Sequence, residues 1–270
     1  MLSIRHGSWM PTLHQQIQAL VTAQSASRSG STSHPLHQPL APNSDSSAGK
    51  NVQCSLHAHL PHSVLPKLFE RLVGLCGAID FDESQNLWEH EISFIPEVET
   101  PFGPARNDDT VLRLRANVLD DDGNFTKLHN RNWKICFFGT PELPKPGNRR
   151  RATQRVVYES EVKGDAFRYM EMLGYKFNFE FVRKGYNFTY RNLRIAIFRI
   201  YHLDTRHKVT SSVPVDGNDD SWIVEVTSPL TSAEGVPTLV DELHTFASHV
   251  AGLVTLVVVD HGALRNRIYY

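Results

Sequence analysis

Two charge repeats carry the first chemical signal. Trp88-Glu89-His90-Glu91 sets two carboxylates two residues apart, and Leu112-Arg113-Leu114-Arg115 does the same with two guanidiniums. In a β-strand, residues two apart point to one face of the sheet. Glu180, Arg199 and Glu225 stand in later segments of the same alternating character. If the faces agree, Glu89, Glu91, Arg113, Arg115, Glu180, Arg199 and Glu225 line one polar interior. An unpaired ion buried there costs on the order of several kcal/mol, so acids and bases must pair with each other or bind something. The competing arrangement is a solvated outer face, and the alternation alone does not choose between the two.

Other chemical signals are weaker. His57, His59 and His62 have the H-x-H-x-x-H spacing of a metal site. The chain holds 14 histidines and Pro61 intervenes, so ordinary strand-end histidines are expected. Arg149-Arg150-Arg151 follows Pro144-Lys-Pro-Gly147 as a basic loop. Phosphate contact, a nuclear import signal and a merely solvated loop all fit it. The sequence carries no phosphate loop, nucleophile elbow or dinucleotide fingerprint, so no cofactor is expected.

Strands must hold these residues in place. Segments 88–95, 111–116, 133–139, 155–161 and 222–227 read as strands, and 253–259 as a last one. Phe177, Phe179 and Phe181 alternate, then Tyr186, Phe188 and Tyr190. The parity changes between the two trios, which predicts a bulge near Lys184-Gly185. Arg191-Asn192 turns the chain into 193–203, making an antiparallel hairpin. Residues 205–220 read as a polar loop. Val64, Leu65, Leu68, Phe69, Leu72 and Val73 recur at helical spacing, with Ser63 as candidate N-cap and Gly77 past the end. Segments 165–173 and 239–250 are the other helices. About eight mostly antiparallel strands, several of them long, and three helices predict an α+β, mainly β fold. Its form is a closed or nearly closed barrel with about three helices outside.

Composition sets the bounds. The 270 residues carry 28 Lys and Arg against 29 Asp and Glu, a formal charge of −1, which offers no general field for nucleic acid. No apolar run approaches the roughly 18 residues of a membrane span. The three cysteines, Cys54, Cys76 and Cys136, are too few for a disulfide framework and read as reduced thiols. Between Thr22 and Gly49 the only large apolar residues are Leu36 and Leu40, among many serines and prolines. Such a stretch cannot offset chain entropy by burial. Domain organisation is therefore read as a disordered Ser/Pro-rich tail over 1–51, one barrel domain over 52–262 and a short tail over 263–270.

The charge pattern resembles that of the tunnel-type triphosphatase and adenylate-cyclase-like barrels, which place Glu-x-Glu-x-Lys on a metal-binding strand. Here the fifth position is Ser93, and segment 222–227 offers only Glu225 where those barrels have a second pair. A divalent ion needs several oxygens, so the tunnel charges are read as vestigial, without metal and without catalytic residues. The alternative is a working metal-dependent tunnel phosphohydrolase. A third reading is an RNA binder using Arg149–Arg151.

Ordered blocks carry a second, longer resemblance. They start with His62-Ser-Val-Leu-Pro-Lys-Leu-Phe-Glu-Arg-Leu-Val-Gly-Leu-Cys-Gly77 and continue through Glu89–Phe94, Val111–Arg115 and Gly139-Thr-Pro-Glu142. Met170-Glu-Met-Leu-Gly-Tyr-Lys-Phe177 runs on to Glu180-Phe-Val-Arg-Lys-Gly185 and Ile197-Phe-Arg-Ile200, and Trp222–Val226 with segment 239–250 closes the set. In order and spacing these resemble the family of subunit 18 of Mediator, the coactivator of RNA polymerase II, over about residues 52–260. The resemblance implies a nuclear, non-enzymatic β-barrel subunit of the Mediator head. It would pair with subunit 20, hold a helix of subunit 8 and help the complex engage the polymerase machinery. It implies no membrane and no sequence-specific nucleic acid binding.

Overall fold

Alternation of apolar and polar residues produces nine strands among the described residues, all paired antiparallel. The computed structural model describes residues 51–77, 86–97, 111–120, 122–142, 150–215 and 221–259. The expected tails, 1–51 and 263–270, lie outside the described residues apart from Asn51, as do residues 216–220 of the expected polar loop. In chain order the elements are β1 (Val52–Pro61), α1 (Leu65–Cys76), β2 (Asn86–Pro96), β3 (Leu112–Asn117), β4 (Lys134–Phe138), β5 (Thr153–Glu161) and α2 (Ala166–Met172). They continue with β6 (Tyr175–Tyr190), β7 (Leu193–Leu203), β8 (Ser212–Pro214), β9 (Ser221–Thr227) and α3 (Val236–His249).

The strand order is β6-β2-β3-β4-β5-β1-β9-β7-β8, and a further pairing of β6 with β7 closes eight strands into a barrel, with β8 added beside β7. The expected closed antiparallel barrel is therefore what forms. Closure matters because a barrel has an inside, and register decides who faces it. Glu91 aligns with Arg115 of β3 and Phe181 of β6; Arg113 aligns with Cys136, and Cys136 with Glu159. Gln53 aligns with Arg155, His57 with Glu225, and Glu225 with Ala196. These residues share the inner face, and their sequence neighbours share the outer one.

The outer face of β1, β9, β7 and the second half of β6 is apolar. Leu56, Leu60, Phe188, Ile195, Ile197, Val224 and Val226 form one core with α1 and α3. Leu65, Leu68 and Leu72 of α1 repeat on one helical face, as do Leu239, Val240, Leu243 and Phe246 of α3. Burying each such side chain contributes about 1.5–3 kcal/mol, which pins both helices to the wall. Gly77 ends α1 at φ 73°, a left-handed cap that glycine takes without strain. Ser63 is not the N-cap: residues His62–Val64 form a 3-10 turn, and Val64 precedes the helix with no side-chain cap. Asp165 does cap α2, accepting from the backbone N–H of Phe167 and Arg168 at 3.1 Å each.

Three expectations need correction. The ladders run without a break through Lys184-Gly185; the irregularity lies at Ser93/Phe94, where Asn178 of β6 has no partner. The aromatic trios need no bulge between them, because Phe179 and Phe181 have inward parity while Tyr186, Phe188 and Tyr190 face the helices. Gly185 instead permits close approach, since a β-carbon there would run into the Ile197 carbonyl oxygen. Segment 253–259 is not a strand; Val257 alone bridges His57, through two backbone bonds of 2.9 and 2.8 Å. Two further strands lie outside those expected. β1 has its polar residues inside and its apolar ones outside, and β8 is a three-residue piece of the expected loop.

Candidate functional site

Inside the barrel, guanidiniums hold the carboxylates of Glu89, Glu91 and Glu225. Glu91, 1% exposed, accepts at Oε1 from Arg113 and at Oε2 from Arg115, whose Nε and Nη2 lie at 3.1 and 2.9 Å. Glu89 is held by Arg183 and approached at 3.6 Å by Arg194. Arg183 also donates to Glu225 at 3.2 Å, and His57 Nε2 lies 3.3 Å from the other oxygen of Glu225. Phe138 lies among the Arg113, Arg115 and Arg155 guanidiniums at 5.5, 5.0 and 4.4 Å, a stack that suits cations over a π-face.

The electrostatics follow from these pairs. Burial alone would raise the Glu91 carboxyl; Arg115, then Arg113 and Arg183, outweigh it and hold the group at about 2. Burial is likewise opposed at Glu89 by Arg183, Arg115 and Arg194, and its carboxyl sits below the usual range. At Glu225 the His57 hydrogen bond and Arg183 overcome burial, and the group stays ionised far into acid. Burial pushes Arg155 down, and among the described residues no carboxylate stands within ion-pair distance of it.

The structure thus brings Glu89, Glu91, Arg113, Arg115 and Glu225 together. Two residues expected with them lie outside. Phe198 aligns with Gly185 and Ile200 with Arg183, so Arg199 between them faces outward, 6.0 Å over the Trp222 ring. Glu180 also has outward parity in β6 and bonds His90 and His207 on the barrel's exterior. The tunnel's remaining partners, Arg155, Arg183, Arg194 and His57, were not singled out as tunnel charges. Alternation marks them: Arg183 continues the Phe179, Phe181 face, and Gln53, Ser55, His57 and His59 alternate with the apolar residues of β1. His57, His59 and His62 do not converge, since His57 bonds Glu225 while His62 accepts from the Trp222 indole at 3.2 Å. Arg149 lies outside the described residues; Arg150 pairs with Glu142, and Arg151 pairs with Asp241 at 2.7 Å. Among the described residues one group of three, His90, Glu180 and His207, is close enough to suggest a metal, and none of it lies in the tunnel.

Chemically, the interior is poor ground for divalent metal binding. Each carboxylate of the Glu89, Glu91 and Glu225 set already accepts from a guanidinium, and an arginine does not release its proton near neutrality. A metal would have to displace several buried ion pairs before gaining its oxygens.

The fold and interior together define a class: a closed eight-stranded antiparallel barrel, its interior carboxylates held by guanidiniums, with helices on its outer wall. A family model described as Med18 protein matches residues 52–267, and the chain belongs to this family. Subunit 18 of Mediator of RNA polymerase II transcription from Yarrowia lipolytica is 27% identical over 239 residues, covering 80% of this chain and 99% of that protein. The Aedes aegypti subunit 18 is 24% identical over 214 residues, covering 78% and 86%. A chain in the Schizosaccharomyces pombe Mediator head module superposes with a TM-score of 0.62 at 17% identity, covering 77% of this chain and 98% of that one, a likeness of fold.

Proposed function

We propose that this chain is a nuclear, non-enzymatic subunit of the Mediator head, and that it works by being held. The barrel pairs with subunit 20, and its exterior receives a helix of subunit 8. Membership of the Med18 family supports the assembly role. The observation that carries the non-enzymatic part is the occupancy of the interior carboxylates: Glu91 takes both Arg113 and Arg115, leaving no free ligand pair for a catalytic ion. The two long helices, pinned to the barrel wall by the apolar core, supply the kind of rigid exterior that partner helices dock against.

Co-expression tests this directly. The chain produced with subunits 8 and 20 is expected to elute as one stoichiometric complex. A chain that stays separate from both, while hydrolysing tripolyphosphate with Mn²⁺ in a manner abolished by Glu91→Ala, would show a tunnel phosphohydrolase instead.

A further inference from the structure

Outside the tunnel, the wall of β2 and β6 carries a half-buried polar chain beneath α2, with only His90 fully buried. Arg131 Nη1 lies 2.7 Å from His90 Nδ1, and His90 Nε2 lies 2.8 Å from Glu180 Oε2. His207 Nδ1 lies 2.9 Å from the same oxygen, and the His207 backbone N–H donates to Glu180 Oε1 at 2.7 Å. Arg206 Nε closes the chain on His207 Nε2 at 3.1 Å.

Guanidinium nitrogens only donate. His90 Nδ1 and His207 Nε2 must therefore accept, so the ring protons sit on His90 Nε2 and His207 Nδ1, and both donate to Glu180. The two imidazoles are neutral and Glu180 is ionised. This argues against a metal at His90, Glu180 and His207. A metal-bound histidine donates its far N–H to an acceptor, whereas both far nitrogens here face guanidiniums. The nitrogens a metal would need carry the protons.

The chain of five thus holds two positive charges and one negative. Glu180 is fully engaged by the two histidines. Arg206 lies over the Phe177 ring at 3.9 Å. Arg131 makes its bonds to two neutral acceptors, His90 and the Thr126 carbonyl at 3.3 Å, and no carboxylate of the described residues is within ion-pair distance. Burial outweighs the longer-range attraction of Glu180, which lies beyond His90, and pushes the guanidinium down from the ordinary value. His90 therefore props Arg131 without neutralising it.

Arg131 lines an open cleft of about 640 Å³ that Trp133, Lys163 and Phe167 also line. Of the two acids there, Asp165 is engaged in capping α2, and Glu161 is solvent-exposed. We propose that this cleft is an oxyanion-binding site, in which a phosphate or carboxylate group supplies the direct ion-pair partner that Arg131 does not have among the described residues. The site is independent of the assembly role and lies on the barrel's exterior, apart from the tunnel.

The Trp133 indole N–H, which donates to the Leu128 carbonyl at 3.1 Å, reports on the cleft. Its signal in ¹H–¹⁵N spectra of the full chain is to be followed during titration with inorganic phosphate and, separately, with a tetraglutamate peptide. A saturable shift with either probe is expected. Arg131→Gln keeps a donor for His90 Nδ1 and should weaken binding at least tenfold, while Lys163→Gln should change it less than threefold. Tighter binding of the peptide assigns the oxyanion to a polypeptide side chain, and tighter phosphate binding to a phosphate group. No saturable shift with either probe, or equal shifts in wild type and Arg131→Gln, overturns the proposal. Stoichiometric Co²⁺ binding lost in His207→Ala would also overturn it, because the tautomers assigned here forbid it.

Discussion

At the scale of single residues, Glu91 is where the interior is most exposed to change. It carries two guanidiniums, so Glu91→Gln removes the buried carboxylate that Arg113 and Arg115 share. Such a loss costs about 3–5 kcal/mol, and urea denaturation should show it as a lower midpoint. Acid should act through the same groups. The folded carboxyls of Glu91 and Glu180 sit at about 2, below their ordinary 4.5. A depressed carboxyl contributes stability that is fully present above its unfolded value and is lost as pH falls through the folded one. Stability is therefore expected to hold above roughly pH 5 on their account and to fall between about 4.5 and 2. His90, lowered by burial, adds loss of the same sign below its ordinary 6.5. Chemical denaturation midpoints measured from pH 7 to pH 3 check both windows. The thiols offer a third reading: burial pushes Cys54 to about 11 and Cys136 to about 12, so both should resist a thiol reagent until the chain unfolds.

At the scale of elements, two close contacts decide the barrel. Gly185 lets β6 approach β7, and Gly185→Ala would force the Ile197 backbone aside, so loss of the soluble folded chain is expected. Leu72, fully buried in α1, anchors that helix to the wall; Leu72→Ala should cost about 2–5 kcal/mol by urea denaturation while leaving the β-sheet signal in circular dichroism. Much of this scale was legible in the sequence. The hairpin turn at Arg191-Asn192 and the αL end of α1 at Gly77 both follow from local chemistry. The Lys184-Gly185 bulge was misread because a parity change between aromatic trios has two causes, a bulge or two faces of one long strand, and only the register separates them. β1 was missed because its pattern is inverted: a barrel with a polar lumen puts apolar residues outside, where the helices lie. Glu180 and Arg199 were assigned to the tunnel for the same reason, since face assignment requires the pairing of neighbouring strands.

For the whole molecule, the ion pairs inside the barrel are what the proposed role rests on. On the proposed reading the lumen carboxylates are taken up in ion pairs, and the outer helices and the cleft at Arg131 are the surfaces for work. Family membership was legible because it resides in the order of many short blocks. The ion-pair partners were not, because they meet only when eight strands close. The most direct test of the central claim is light scattering on size-exclusion of the chain co-expressed with Mediator subunits 8 and 20. The account predicts a single three-component peak in equal stoichiometry that survives Glu225→Gln with at most lowered stability. A monomeric peak that turns over tripolyphosphate with Mn²⁺, and loses that turnover in Glu91→Ala, would contradict it.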